Sequence, residues 1–227
     1  MFVLMLTACL AADPAACAPR LLPQGSAAEA AACQQGAEAV AAAWLAAHPD
    51  LTGRGWTCAP LAEAPALDLT ELAPGVLIHR GADAELSPEN RGRISNLGVV
   101  IGAAQVAVID PGGSREEAEA LYAAIRARTD LPIGPVILTH MHPDHIAGAG
   151  LMAEAGGEVT GDARLPAALA ARAETWRETI PAQIGALAWA GTDLVAPTRL
   201  VAGAETLDLG GTTLTLTPVA TAHTDSD

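Results

Sequence analysis

Lysine is absent from this sequence, and basic charge is scarce. All 12 basic residues are arginines, and they stand against 26 acidic residues, so the formal net charge is −14. This balance argues against a nucleic-acid partner, because binding a phosphate backbone needs a basic face. Acidity of this size mainly favours solubility.

Long apolar runs are also lacking. The most apolar stretch, residues 1–12, is too short to span a bilayer, so no membrane span is predicted. It favours a buried strand or short helix, with Cys9 in a disulfide. The alternative is a lipoprotein signal, since Leu6-Thr7-Ala8-Cys9 resembles a cleavage box, but no basic residue precedes the run. We expect any export signal to lie outside this chain.

The cysteines are few and confined to the first quarter of the chain. They are Cys9, Cys17, Cys33 and Cys58. None forms a C-x-x-C pair, which argues against a structural zinc knuckle. An even number in one short segment predicts two disulfides and an oxidising compartment, with three connectivities open.

Two parts of the chain differ in pattern. Residues 1–66 predict a small disulfide-bearing module with a helix that begins at a capping box, Ser26 to Glu29, and ends near Ala47. His48 follows as a helix-capping or surface group rather than a ligand, and the Pro- and Ala-rich end of the module predicts a linker. Residues 67–227 predict an α/β domain.

Alternating strands and helices fill the second part. The helices are predicted from Ser114 to about Thr129, over 146–155, and over 165–189 with a break at Pro181. The predicted strands and hairpins lie at 75–80, 96–101, 105–110, 135–138, 158–160 and 205–217. Between two of these strands, the polar segment 87–95 predicts a surface loop, with a substrate-facing rim as the alternative.

Three of the six histidines fall within six positions, directly after the β-branched run at 135–138. His140 and His142 alternate with other residues, so in an extended backbone both side chains point the same way. Asp144 and His145 follow and can turn toward a second ion. Imidazole and carboxylate without thiolate favour zinc, then iron or manganese. The sequence predicts a metal site at the end of this strand.

The stretch T-H-x-H-x-D-H-x-x-G at 139–148 resembles the signature of the metallo-β-lactamase superfamily. The resemblance implies an αβ/βα sandwich and one or two zinc ions. It implies that the first ion is held by His140, His142 and His223, and that the second is held in part by Asp144 and His145. Asp110 resembles the aspartate that orients a ligand from behind.

The chemistry implied by the resemblance is hydrolysis. A water bound to zinc would attack an ester, thioester, lactone or similar bond of a small-molecule substrate, and Asp144 would accept its proton as the catalytic residue. Asp162, in Thr160-Gly161-Asp162, resembles the superfamily's metal-bridging aspartate, but it precedes the third histidine, so we predict a helix cap there. The superfamily's bridging aspartate and last histidine have no counterpart before Asp227, and we expect a chain incomplete at its C-terminus.

A narrower resemblance is to the quinoprotein relay system zinc metallohydrolases. It rests on the cysteine-bearing leader and on the segments 88–92, 139–145, 165–172 and 222–225. It implies a periplasmic protein with a quinoprotein or cytochrome partner, and it leaves the substrate open. This chain departs from the group at Asp162, where a histidine is expected.

Three other functions remain open. A β-lactamase would use the same Asp144 and His145 pair. A mononuclear iron persulfide dioxygenase would use His140, His223 and an aspartate that this chain lacks. A non-catalytic binding module would use the metal only to stabilise its fold.

Overall fold

A three-stranded antiparallel sheet begins the computed structural model, which describes all 227 residues. Its strands are β1 (Phe2–Leu10), β2 (Cys17–Ala27) and β3 (Leu51–Pro60), with β1 in the middle. Helix α1 (Ala30–Ala47) packs across this sheet through a buried, alanine-rich side. The prediction of a buried strand within residues 1–12 is confirmed.

Two disulfides staple this amino-terminal part. One joins Cys9 to Cys17, which face each other across the β1–β2 ladder. The other joins Cys33 of α1 to Cys58 of β3. No cysteine is free, so the predicted disulfide pair is confirmed, and the structure selects one of the three possible connectivities.

For this part, the predicted capping box is wrong, and the predicted capping position of His48 is confirmed. Ser26 does not cap α1, because the ladder with β1 extends to Ala27 and keeps Ser26 in the sheet. The helix begins one residue after Glu29, and no side chain caps it. His48 is not a surface group, since it is buried and its Nδ1 lies 2.8 Å from the carbonyl oxygen of Trp44. The predicted capping role of His48 matches this contact, which satisfies a carbonyl near the end of the helix.

The central sheet has seven strands, in the order β10-β9-β8-β7-β6-β5-β4. They are β4 (Thr70–Ala73), β5 (Val76–His79), β6 (Leu97–Ile101), β7 (Val106–Ile109), β8 (Ile133–Leu138), β9 (Glu158–Asp162) and β10 (Arg199–Val201). The strands from β4 to β7 are antiparallel neighbours, whereas β7 to β10 run parallel. The carboxyl ends of β7, β8 and β9 therefore meet at one edge, where a parallel sheet presents its ligand sites.

Six helices complete the second part of the chain. They are α2 (Arg115–Arg126), α3 (Pro143–Ile146), α4 (Ala149–Glu154), α5 (Leu165–Ala170), α6 (Ala173–Ile184) and α7 (Ala186–Trp189). The predicted break at Pro181 is wrong, because Pro181 lies inside α6. The helix ends instead at Gly185, whose φ of 94° is open to glycine and strained for other residues.

A separate hairpin leads toward the end of the chain. Strands β11 (Glu205–Asp208) and β12 (Thr213–Leu216) pair with each other in a two-stranded sheet. The turn passes through Gly210 and Gly211, both at positive φ. The predicted hairpin is confirmed, and it delivers the chain to His223.

A buried arginine joins the amino-terminal part to the central domain. Arg115, 2% exposed, donates from Nη1 and Nη2 to Glu154 at 2.7 and 2.8 Å, and from Nε to Glu119 at 3.0 Å. Its Nη2 also donates to the carbonyl of Leu21 in β2, and its guanidinium lies 4.7 Å from the ring centroid of Trp44. A buried charge is tolerated only when it is paired in this way. The division of the chain at residue 66 stays a prediction.

None of the helices combines the length and the apolar composition that crossing a bilayer requires.

Replacing His48 by glutamine tests a second contact between the two parts. Burial opposes charging of the imidazole, but Asp193, 3.3 Å from Nε2, and the Trp44 carbonyl outweigh it and raise the pKa of His48 above its ordinary 6.5. Such a group stabilises the fold below its unfolded pKa, and this stability is lost as the pH rises through the folded pKa. His48→Gln should therefore lower the free energy of unfolding more at about pH 5.5 than at about pH 8.5, as measured by urea denaturation. Equal losses at both pH values would contradict the charged contact.

Candidate metal centre

The end of β8 carries the histidine cluster. After the buried strand the chain bends at His140 and Met141, and His142, whose φ is −64° and ψ 139°, precedes α3 with Pro143 at its first position. His140 and His142 therefore lie on the loop between β8 and α3, whereas Asp144 and His145 lie on the first turn of α3. The loop and the helix turn place the His140–His142 pair and the Asp144–His145 pair next to each other.

The last residue of the motif, Gly148, is a glycine because another backbone segment approaches it closely. A Cβ on Gly148 would lie 2.1 Å from the carbonyl oxygen of Pro111. The amide of Gly148 donates to the carbonyl of Gly112 at 2.9 Å. This contact fixes the segment after α3 against the loop that follows β7, which carries Asp110.

Three imidazole rings converge on one point. His142 Nδ1 lies 3.1 Å from His140 Nε2 and 3.0 Å from His223 Nε2. One ring nitrogen from each residue lies within 4.8 Å of the others. A single hydrogen cannot satisfy three nitrogens that face one another, so this donor set fits a cation bound by imidazole lone pairs.

Thr139 determines which nitrogen of His140 carries hydrogen. A carboxylate only accepts, so the hydroxyl of Thr139 donates its one hydrogen to Asp110 Oδ2 at 2.7 Å. The hydroxyl oxygen of Thr139 lies 2.9 Å from His140 Nδ1 and, having given its hydrogen to Asp110, must accept from that nitrogen. His140 therefore presents the lone pair of Nε2 to the cluster, as a metal ligand requires.

Asp110 holds two pieces of the site in place. Its carboxylate accepts from the Thr139 amide at 2.9 Å, from the Thr139 hydroxyl, and from His145 Nδ1 at 2.8 Å. Asp110 is buried, and its φ of 54° is a conformation that aspartate tolerates better than most residues. Because its oxygens are engaged by these donors, Asp110 fixes the orientation of Thr139 and His145, and His145 Nε2 points toward Asp144.

Asp144 stands beside His145 as an ionised carboxylate. Burial opposes its ionisation, but contacts with His145, whose Nε2 lies 3.3 Å from Oδ2, and with the hydroxyl of Ser95 outweigh burial and hold the pKa of Asp144 well below its usual range. Ser95 comes from the polar segment 87–95. The segment therefore reaches the histidine cluster through Ser95, and its contact with substrate stays a prediction.

The histidines differ in how readily they take a proton. Burial and the neighbouring His145 lower the pKa of His140 from 6.5 to about 4. Burial and His223 also lower the pKa of His142. For His145, the bonds to Asp110 and Asp144 outweigh burial and raise the pKa to about 9. His140 and His142 thus remain neutral at pH 7 and able to bind a cation.

Asp162 lies near the site and pairs with the side chain of Arg164. Both carboxylate oxygens bind Arg164, to Nε at 2.7 Å and Nη2 at 2.9 Å, and Oδ1 also accepts from the Arg164 amide. The residue that caps α5 is Arg164, so the helix-cap prediction for Asp162 is wrong. The guanidinium of Arg164 donates in turn to the carbonyls of Val219 and Ala220, which precede His223.

An apolar cavity of about 480 Å³ adjoins the site. It lies between the central sheet and β12, and His140, Asp162 and His223 contribute to its wall. Six of the lining residues are aliphatic, including Ile109 and Leu214. Trp176 and Trp189 pack in hydrophobic clusters with core residues.

Of the residues predicted to bind metal, His140, His142 and His223 each place a ring nitrogen within 4.8 Å of the others. Asp144 and His145 contact each other beside them, and the role of each residue as a ligand stays a prediction. Sequence reasoning missed Ser95 and Arg164, because each acts across a long separation along the chain, 49 residues to Asp144 and 55 residues to Val219. Neither belongs to a local motif.

Replacing Asp110 by asparagine should weaken metal binding. The carboxamide cannot accept all three donated hydrogens with full charge, so His140 and His145 lose their fixed orientation, and metal affinity should fall about 10- to 100-fold. Competition against a chromophoric chelator measures this. Asp130→Asn, at an exposed aspartate, is the matched control. Unchanged affinity in Asp110→Asn would contradict the orienting role.

Comparisons with known proteins place this geometry in a family. The model of the metallo-beta-lactamase superfamily matches residues 90–227. A search among curated proteins found no match.

The similar solved structures include the following three. A metallo-beta-lactamase from Pontibacter korlensis is 18% identical, with a TM-score of 0.51 over 70% of this chain and 64% of that one. The stereoselective inverting sec-alkylsulfatase Pisa1 from Pseudomonas sp. is 23% identical, with a TM-score of 0.49 over 72% of this chain and 28% of that one. TMB-1 is 22% identical, with a TM-score of 0.44 over 64% of this chain and 57% of that one. This chain spans less than two thirds of each.

At 18% identity, the first of these structures shows the fold alone, and it agrees with the predicted α/β metallo-β-lactamase-like class. The family model covers more than half of the chain, and the covered part contains the whole histidine cluster and His223. The protein therefore belongs to the metallo-β-lactamase superfamily.

Proposed function

We propose that the protein is a zinc-dependent hydrolase of the metallo-β-lactamase superfamily. The observation that carries the proposal is the convergence of His140, His142 and His223, with His142 Nδ1 at 3.0 to 3.1 Å from the other two rings. Three protein ligands with a further position open to solvent are typical of catalytic zinc rather than structural zinc.

Zinc is the metal that this donor set favours. The cysteines are all in disulfides, so no thiolate is present, and neutral imidazoles with a carboxylate suit zinc ahead of manganese or iron. When bound, zinc lowers the pKa of a coordinated water toward ~7 and polarises the oxygen of the scissile bond. Asp144 and His145, with Asp110 behind them, would hold part of a second ion.

Asp144 is the residue proposed to take the proton of the attacking water. A proton acceptor must be ionised and held in place, and both conditions follow from its contacts with Ser95 and His145. Asp110 and Thr139 keep the imidazole of His140 in one tautomer throughout. The substrate class proposed is a small molecule with an ester, thioester, lactone or similar bond.

The three-histidine geometry also bears on the alternatives. A persulfide dioxygenase site would use His140 and His223 without His142, whereas here His142 sits centrally between those two rings. The metal identity and the response to a carbapenem distinguish the remaining superfamily activities. A binding module that uses metal only for its fold would bind zinc and hydrolyse nothing.

We propose a periplasmic location and a quinoprotein or cytochrome partner. Two disulfides support an oxidising compartment, and the resemblance to the quinoprotein relay system metallohydrolases supports the partner. Thiol alkylation of the protein isolated from its own cells tests the compartment, since free thiols would contradict it.

Replacing His142 by alanine should abolish hydrolysis. The change removes the central ring of the cluster, and since a metal ion supplies several kcal/mol of transition-state stabilisation, kcat/KM for an activated ester or lactone should fall by at least about a hundredfold. His79→Ala removes a histidine from β5, outside the cluster, and should leave the rate unchanged. Hydrolysis that persists in His142→Ala would contradict the proposed zinc-dependent hydrolase activity.

A further inference from the structure

Three of the 12 arginines line a single cleft away from the metal centre. Arg20 comes from β2, and Arg91 and Arg93 come from the segment 87–95. The cleft has a volume of about 430 Å³, within the range of small-molecule sites. No member of the histidine cluster lines it. The chain as a whole has a net charge of −14, so three arginines in one cleft stand out from an otherwise acidic protein.

The carboxylates of the cleft do not neutralise these arginines. Glu116 accepts from both Arg91 and Arg93, at 2.5 and 3.1 Å. Glu119 lies 3.5 Å from Arg20 and is shared with Arg115, which binds it more closely at 3.0 Å. Three guanidinium groups thus face two carboxylates, so the cleft keeps an excess of one positive charge.

Two of these arginines also keep a buried donor without an acceptor. Arg20 is 1% exposed, and its terminal nitrogens donate to the carbonyls of Pro19 and Leu187. Its Nε has no hydrogen-bond partner, and neither has Nε of Arg93. A buried N–H left unpaired is costly. Both Nε atoms are buried, so a ligand in the cleft would meet the exposed parts of Arg91 and Arg93, whose side chains are 44% and 34% exposed.

The rest of the cleft is largely apolar. Met5, Leu21, Pro65 and Leu187 contribute hydrocarbon surface opposite the arginines. A purely inorganic anion would leave these side chains without a partner. A ligand with one anionic end and a hydrocarbon body would contact both kinds of wall.

We propose that this cleft binds a small organic carboxylate. The planar guanidinium groups match the two oxygens of a carboxylate, and the aliphatic wall takes the carbon chain. Such a ligand would also touch the segment 87–95, whose Ser95 hydroxyl donates to Asp144 at the metal centre. The cleft would thus lie next to the hydrolytic site without being part of it.

Isothermal titration of the full chain with hexanoate tests the proposal. We expect saturable binding that Arg91→Gln weakens by about tenfold, because the excess charge and one charge-assisted hydrogen bond are lost. Glu116→Gln should strengthen it, because both partner guanidinium groups are released. Arg177→Gln, at an exposed arginine of α6, is the matched control and should change nothing. Thermal unfolding of each variant verifies its fold.

A carboxylate can also bind a metal ion, so the titration is repeated in His142→Ala. Binding retained there assigns the site to the cleft, and binding lost there would overturn the assignment. The proposal is also overturned if neither the native chain nor Glu116→Gln binds hexanoate saturably. If the chain bound inorganic phosphate as tightly as hexanoate, the proposal that the ligand needs a hydrocarbon chain would be wrong.

Discussion

The carboxylate of Asp110 is the group on which the geometry of the histidine cluster depends. It accepts from the Thr139 amide and hydroxyl and from His145 Nδ1. Through Thr139 it leaves the Nε2 lone pair of His140 directed into the cluster, and through His145 it aims a second imidazole. One buried carboxylate thereby fixes the orientation of two rings of the histidine cluster.

The sheet explains how such distant residues meet. β7 and β8 are parallel neighbours, so Asp110 at the end of one lies beside the histidines at the end of the other. His223 arrives from far along the chain, and Arg164 tethers the backbone just before it at Val219 and Ala220. The strand ends position His140 and His142, and the contacts of Arg164 position the segment that carries His223.

Local pattern predicted the strands and the cluster, because a β-branched run followed by alternating histidines has a short-range physical meaning. Contacts across the fold could not be predicted in this way, and Ser95 and Arg164 were missed for that reason. Local signals also gave wrong helix boundaries where a neighbouring interaction was stronger. The β1–β2 ladder took Ser26 away from its capping box, and the positive φ of Gly185 ended a helix that tolerates Pro181.

X-ray absorption at the zinc edge, on the purified full chain, tests the central claim most directly. The account predicts bound zinc with nitrogen and oxygen neighbours at about 2.0–2.1 Å, multiple scattering from about three imidazoles, and no sulfur. Absence of bound zinc, or a shell containing sulfur, would contradict the three-histidine centre.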